Sequence, residues 1–327
     1  MSINTGLWLL SIAAALLLIY LLVCFILFFK VFLRGDAPPL DEVDLAATHY
    51  AAYADEIVGK LRALRGRANE VIRIRSFDGT ELAAHYYDQH SPCTAVLLHG
   101  YRAPYLNNFA VSGTWLMEQG FNLLIPVQRA HGESGGRFMS LGEFEHRDLA
   151  RWLEELHKRY RPEHVVLYGV SMGCNAAIRA SETLPEGSVD AMLLDCGYAN
   201  TFDTVARQLS QMPGFPARLF AHGINLFARL IGGFDMRSGD TREALKRATI
   251  PAFFIHGTAD DVVPVEQGRE NYLACASPKA AFFAEDAAHA TGFMAGGEAL
   301  RGQLADFLER FGCMPAKDIT KRGDMEK

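Results

Sequence analysis

The sequence predicts an α/β domain built on a mostly parallel, doubly wound sheet and carried behind a single apolar N-terminal helix. Three observations predict it. Short apolar runs alternate with helical stretches from residue 70 onward. Residues 7–29 contain no charged side chain. Half of the residues are hydrophobic and 21% are charged, so a sizeable core can be buried.

As a helix, residues 7–29 would reach roughly 34 Å, enough to cross the hydrocarbon core of a bilayer. Trp8 stands where an interfacial aromatic would help. A cleaved signal peptide would want a basic leader, a shorter apolar core and a small-residue cleavage site. This leader is MSINTG, and the run ends in FFKVFLRGD. Residues 1–35 are therefore expected to be a single-pass anchor. Lys30 and Arg34 just after the span lean the rest of the chain toward the cytoplasm.

Pro38 and Pro39 interrupt the helix beyond the anchor. Val43, Ala47, Tyr50, Ala54, Ile57, Leu61 and Leu64 then recur at steps of four and three. That spacing predicts a juxtamembrane helix within 36–69, packed against the main domain.

The main domain is expected over 70–313, with a polar tail at 314–327. Runs at 71–77 and 81–87 flank Asp78-Gly79, a hairpin turn signal. Six more short apolar runs lie at 94–100, 122–126, 164–169, 191–195, 252–257 and 281–285, with helical stretches clearest at 143–160 and 298–311. Strands this short and apolar suit burial on both faces, as in a parallel sheet.

The net charge of −6 and the lack of a basic stripe exclude nucleic acid as the main partner. The six cysteines are scattered, without a CxxC pair or Cys/His metal spacing. No metal or cofactor is called for, and nothing in the sequence names a protein partner. Unpatterned thiols suit a reducing compartment.

One pentapeptide carries chemistry. Gly169-Val170-Ser171-Met172-Gly173 comes directly after a predicted strand and opens a helical stretch. That is the context of a nucleophile elbow, a sharp turn that lifts a serine hydroxyl above the sheet edge. Glycines two residues to either side remove side chains that would clash there.

At this elbow the sequence resembles the α/β-hydrolase family, and the resemblance extends over about 71–311. It implies a serine hydrolase acting through an acyl-enzyme on an ester or related acyl bond, with peptidase or acyltransferase chemistry and a catalytically silent scaffold as alternatives. His99-Gly100-Tyr101 falls where the family forms its oxyanion hole, which would use the backbone N–H groups of Tyr101 and Met172. His99 itself is expected to brace the loop. The segment from His256 to Pro264 matches the family's HGxxDxxVP pattern and marks Asp260 as the acid, with Asp195 as a rival. His289 stands where the family carries its base. PVQRAHGESGGRF (126–138) resembles a loop common in bacterial members but has Val127 where they have Asp; Ser134 in it lacks an elbow and is a poor nucleophile. Cys174 is read as a core residue.

Between Cys196 and Ile250 the strand pattern pauses. By resemblance, 197–249 forms a helical lid. Its many Phe and Leu residues admit two readings, an acyl pocket or plain packing of amphipathic helices. A small-molecule or lipid-like acyl substrate is the implied ligand.

Overall fold

The computed structural model describes residues 3–35 and 37–315. An eight-stranded sheet forms its centre, with β1 (Glu70–Arg75), β2 (Glu81–Tyr87), β3 (Cys93–Leu98), β4 (Asn122–Val127), β5 (His164–Val170), β6 (Ala191–Asp195), β7 (Ala252–Gly257) and β8 (Lys279–Ala284). Their spatial order is β1-β2-β4-β3-β5-β6-β7-β8. β1 and β2 pair antiparallel, as do β2 and β4, and every later pairing is parallel. All eight apolar runs in the sequence are strands, and β3 to β7 are buried along nearly their whole length because helices cover both faces.

Helices α2 (Ala54–Arg65), α3 (Ala110–Glu118) and α10 (Gly292–Arg310) bury Leu61, Trp115 and Leu304 against one face. Helices α4 (Glu145–Arg159), α5 (Met172–Ala180), α8 (Thr241–Leu245) and α9 (Val265–Ala274) cover the other, with Trp152 and Ile178 in that core. Burying a side chain of this size contributes roughly 1.5–3 kcal/mol, so the two layers dominate the favourable side of folding.

The insertion between β6 and β7 is helical, as expected. It holds α6 (Thr201–Ser210), α7 (Ala217–Phe227), a π-helical turn (Ala228–Gly232) and α8. Asn200 and Asp240 cap α6 and α8 with their side chains.

The N-terminal helix, α1 (Ile3–Phe32), is one continuous element. An 18-residue stretch of it has a mean hydropathy of 3.1, and Gly6–Phe32 is long and apolar enough to cross a membrane. Its far end is built into the domain. Cys24, Phe28 and Phe32 are fully buried, and the two phenylalanines share a cluster with Phe202, Ile224, Phe234 and Met172. The backbone then continues the contact, with Leu33 bridged to Phe138 and Met139 N–H donating to Phe32 O at 2.8 Å.

The juxtamembrane helix needs correction. The α-helix covers only α2, and the preceding residues form three 3₁₀ turns at Leu40–Glu42, Leu45–Ala47 and Ala51–Tyr53. Asp44 accepts from the N–H of Ala46, and the Thr48 hydroxyl donates to Leu45 O, so local side-chain bonds compete with the helical ladder. Leu45, Ile57, Leu61 and Leu64 still reach the core. The polar tail falls outside the described residues from 316 onward.

Candidate active site

The elbow forms because its two glycines allow approaches that no other residue could. A Cβ at Gly169 would lie 2.5 Å from Gly173 O, and one at Gly173 would lie 1.9 Å from Leu98 O. Between them Ser171 adopts φ 54°, a left-handed conformation costly for a residue with a side chain. Its N–H donates to Asp195 O at 2.9 Å, which ties the turn to β6.

Ser171, Asp260 and His289 come together from three separate loops. His289 Nε2 stands 3.1 Å from Ser171 Oγ, and His289 Nδ1 stands 2.7 Å from Asp260 Oδ2. The second oxygen of Asp260 accepts from the N–H groups of Val262 and Val263 at 3.0 and 2.7 Å. Burial alone would raise the Asp260 pKa, but hydrogen bonds from His256 and His289 hold its carboxyl well below the usual range. Asp260 is therefore an anion at neutral pH, fixed on one side by backbone and aimed at the imidazole on the other. His256 Nε2 donates to Val263 O at 2.8 Å, closing the loop around it.

Geometry separates the two candidate acids. Asp195 is buried, its carboxylate accepts from the Tyr168 hydroxyl at 3.4 Å, and its Oδ1 has no partner among the described residues. Burial pushes its carboxyl up to about 6, although His256 and His289 pull the other way. It does not bond to His289; Asp260 does.

The loop after β3 lies against the elbow, since a Cβ at Gly100 would sit 3.6 Å from Ser171 Cβ. Asn108 Oδ1 accepts from Gly100 N–H at 2.8 Å and holds that backbone in place. His99 is the brace expected of it. It is fully buried, donates through Nδ1 to Gly100 O at 2.9 Å and accepts through Nε2 from Gln128 N–H at 3.0 Å. Burial and the neighbouring His131 lower its pKa to about 3, so the ring is neutral. Tyr101 N–H and Met172 N–H belong to the two segments that flank Ser171.

Arg129 in the 126–138 loop makes a bidentate pair with Asp148 at 2.6 and 2.7 Å and reaches Asp78 at 2.9 Å. Its guanidinium also stacks on Phe77 and Phe144. Ser134 Oγ accepts from Ala83 N–H at 2.9 Å and donates to Val127 O, a structural role far from an elbow. Cys174 is buried against Gly197, where a Cβ would lie 2.2 Å from its sulfur, and burial pushes its thiol up. Ligating atoms of Cys196, Asp260 and His289 lie within 4.8 Å of one another, yet both ring nitrogens of His289 are already engaged.

Two residues near the site were not singled out from sequence. Tyr50 reaches the neighbourhood of Asp195, beside Ala290 and Phe293 around a void of about 20 Å³. His49 lies close enough to His289 to feel its charge; desolvation first and His289 second lower its pKa. Both come from the turn between the second and third 3₁₀ turns after α1, whose position no local motif specifies.

The inward-facing apolar residues of the insertion pack into a core cluster, while Met212, Leu219, Leu226, Leu230 and Ile231 stay exposed. Phe202, Leu209, Ala221, Ile224 and Phe234 join Phe28 and Phe32 of α1, with Met172 and Val263 at the inner edge. A cavity of about 520 Å³ between α6, α7 and α9 is lined by Asp203, Arg207, Arg218, Arg242, Glu266 and Glu270 among others, and by none of Ser171, Asp260 and His289.

A sequence model of the alpha/beta hydrolase fold matches residues 96–263, just over half of the chain. The chain belongs to the alpha/beta hydrolase fold family. The matched span takes in Ser171 and Asp260, and the strand order and elbow agree with it. Among relatives of this hydrolase, the uncharacterized protein YqkD of Bacillus subtilis is 27% identical over 241 residues, covering 72% of this chain and 78% of that protein. The uncharacterized protein YfhR of Escherichia coli K12 is 24% identical over 196 residues, or 60% of this chain and 63% of that one. Among solved structures, an esterase of Pyrococcus furiosus superposes with a TM-score of 0.63 at 23% identity, over 76% of this chain and 95% of its own. An esterase from Exiguobacterium antarcticum gives 0.54 at 20% identity, over 73% and 100%. At such identities these two structures speak to the fold.

Proposed function

We propose that this alpha/beta hydrolase is a membrane-anchored serine hydrolase that cleaves a carboxylic ester or related acyl bond through an acyl-enzyme on Ser171. The observation that carries the reading is the unbroken chain of contacts from Ser171 Oγ through the His289 ring to Asp260. A serine hydroxyl is a weak nucleophile until a base takes its proton as the bond to the acyl carbon forms. His289 Nε2 takes that proton and then gives it to the leaving oxygen. Asp260 keeps the other ring proton on Nδ1 and balances the imidazolium that forms. The N–H groups of Tyr101 and Met172 receive the developing oxyanion; removing one such donor costs about 10²–10³ in rate. Water repeats the sequence to release the acid. The esterases of similar fold support the ester over other acyl substrates.

Anchoring rests on α1. A cleaved signal would leave behind the partners of Phe28 and Phe32, which are buried in the domain's own cluster. Lys30 and Arg34 at its end favour a cytoplasmic domain.

The test is hydrolysis of p-nitrophenyl esters of increasing chain length by the full chain in detergent. Ser171→Ala lowers turnover by a factor on the order of 10⁶. An unchanged rate in Ser171→Ala refutes the reading, and turnover of peptides with none of esters moves the activity to a peptidase.

A further inference from the structure

Helix α7 does not lie under α1 as a cytoplasmic domain lies under its anchor. It runs beside it. Tyr20 of α1 donates its hydroxyl to Leu219 O at 2.9 Å, and its ring packs edge-on against Phe220 at 5.3 Å. A Cβ at Gly223 would strike Cys24 Sγ at 2.2 Å, so the two helices touch backbone to side chain there. Further along, Phe25 meets Phe227 at 5.5 Å. The partners advance together, from 20 with 219 to 25 with 227, so the helices are side by side over about two turns.

Those turns belong to the apolar length of α1, whose other side chains there face outward. Leu22 and Ile26 are 58% and 55% exposed. On α7 and the π-turn, Leu219, Leu226 and Leu230 are exposed by 55%, 43% and 71%. With Gly223 they recur at steps of four, three and four, forming one helical stripe along the α1 contact. The loop before α7, Gln211 to Pro216, carries no charge and exposes Met212. Arg218 and Arg229 project on the far flank of the stripe, each paired with an aspartate, at 3.3 and 3.7 Å. An exposed apolar stripe continuous with a span, with basic side chains along its outer edge, has the character of an interfacial helix.

We infer that the Leu219–Leu226–Leu230 stripe of the insertion is immersed in the acyl-chain region of the leaflet that α1 leaves, so the bilayer is the partner that covers it. The inference rests on the reading of α1 as a membrane span. The insertion's inner residues share one apolar cluster with Met172, next to Ser171. That cluster joins the helix bearing the stripe to the residue beside the nucleophile, and an acyl lipid of the leaflet is the substrate class this arrangement suits. A second copy of the chain is the competing occupant.

The test places bimane on single introduced cysteines in the full chain, reconstituted in phosphatidylcholine nanodiscs with and without doxyl-labelled lipid. The native cysteines are buried, and the unsubstituted chain gives the labelling background. Leu16→Cys reports on the span and Glu298→Cys, on the exposed face of α10, on water. Doxyl lipid is expected to quench Leu226→Cys and Leu230→Cys as strongly as Leu16→Cys and to leave Glu298→Cys unchanged. Quenching at Leu16→Cys alone overturns the immersion while leaving the anchor intact. In that case, a blue-shifted emission from the stripe assigns it to a second copy, and a water-like emission leaves it in solvent. No quenching at Leu16→Cys defeats the anchor and the immersion together.

Discussion

The His289 imidazole is held by Asp260 at 2.7 Å on one nitrogen and meets Ser171 at 3.1 Å on the other, although 118 residues separate the serine from the histidine. The arrangement depends on two fixed points. Backbone N–H groups of Val262 and Val263 pin the carboxylate, and the strained elbow pins the hydroxyl.

Asp260→Asn keeps the shape of the site but loses the anion that sets the ring tautomer. We expect kcat to fall by roughly 10³–10⁴ with little change in KM, as in other triads of this design. Steady-state kinetics with a short ester measure it. The matching substitution Asp195→Asn spares most of kcat, because Asp195 has no bond to His289.

Asp195 gives a pH-dependent stability of definite sign. Its folded pKa of about 6 lies above the unfolded value near 3.9, so the folded state binds more protons in between. Stability from this group is present below about pH 4 and is lost as pH rises through about 6. Asp195→Asn should therefore be more stable than the native chain at pH 8, by about 3 kcal/mol, with the advantage gone near pH 4. Thermal melts across that range check it; an advantage that grows on acidification has the wrong sign.

Arg129 is buried between Asp148, Asp78 and two aromatic rings. Arg129→Ala leaves the buried Asp148 carboxylate without its partner and should cost about 3–5 kcal/mol. Denaturant unfolding of the full chain reads this directly, and a loss below 1 kcal/mol contradicts the assigned role.

Much of this was legible in the sequence because it is written locally. Eight runs became eight strands, and β3 to β7 were plainest, since a strand buried on both faces must be apolar along its length. The elbow was legible because the glycines at 169 and 173 are demanded by backbone contacts within a few residues and one neighbouring strand. The Asp260 assignment came from resemblance, and the geometry shows why it differs from Asp195: only one of them faces the ring. What could not be read depends on distant packing. The spacing through Val43, Ala47 and Tyr50 predicted a helix, but that segment folds as short turns that bring His49 and Tyr50 beside the site. Likewise, the phenylalanines of the insertion fit a pocket or a core equally well until Phe28 and Phe32 of α1 arrived as their partners.

The most direct measurement of the central claim is the site of attachment of a fluorophosphonate probe on the full chain, mapped by mass spectrometry. Attack by an activated serine forms an oxygen–phosphorus bond and expels fluoride. We expect a single adduct on Ser171, absent in Ser171→Ala and strongly slowed in His289→Ala. Labelling that persists in Ser171→Ala, or an adduct on another residue, would contradict it.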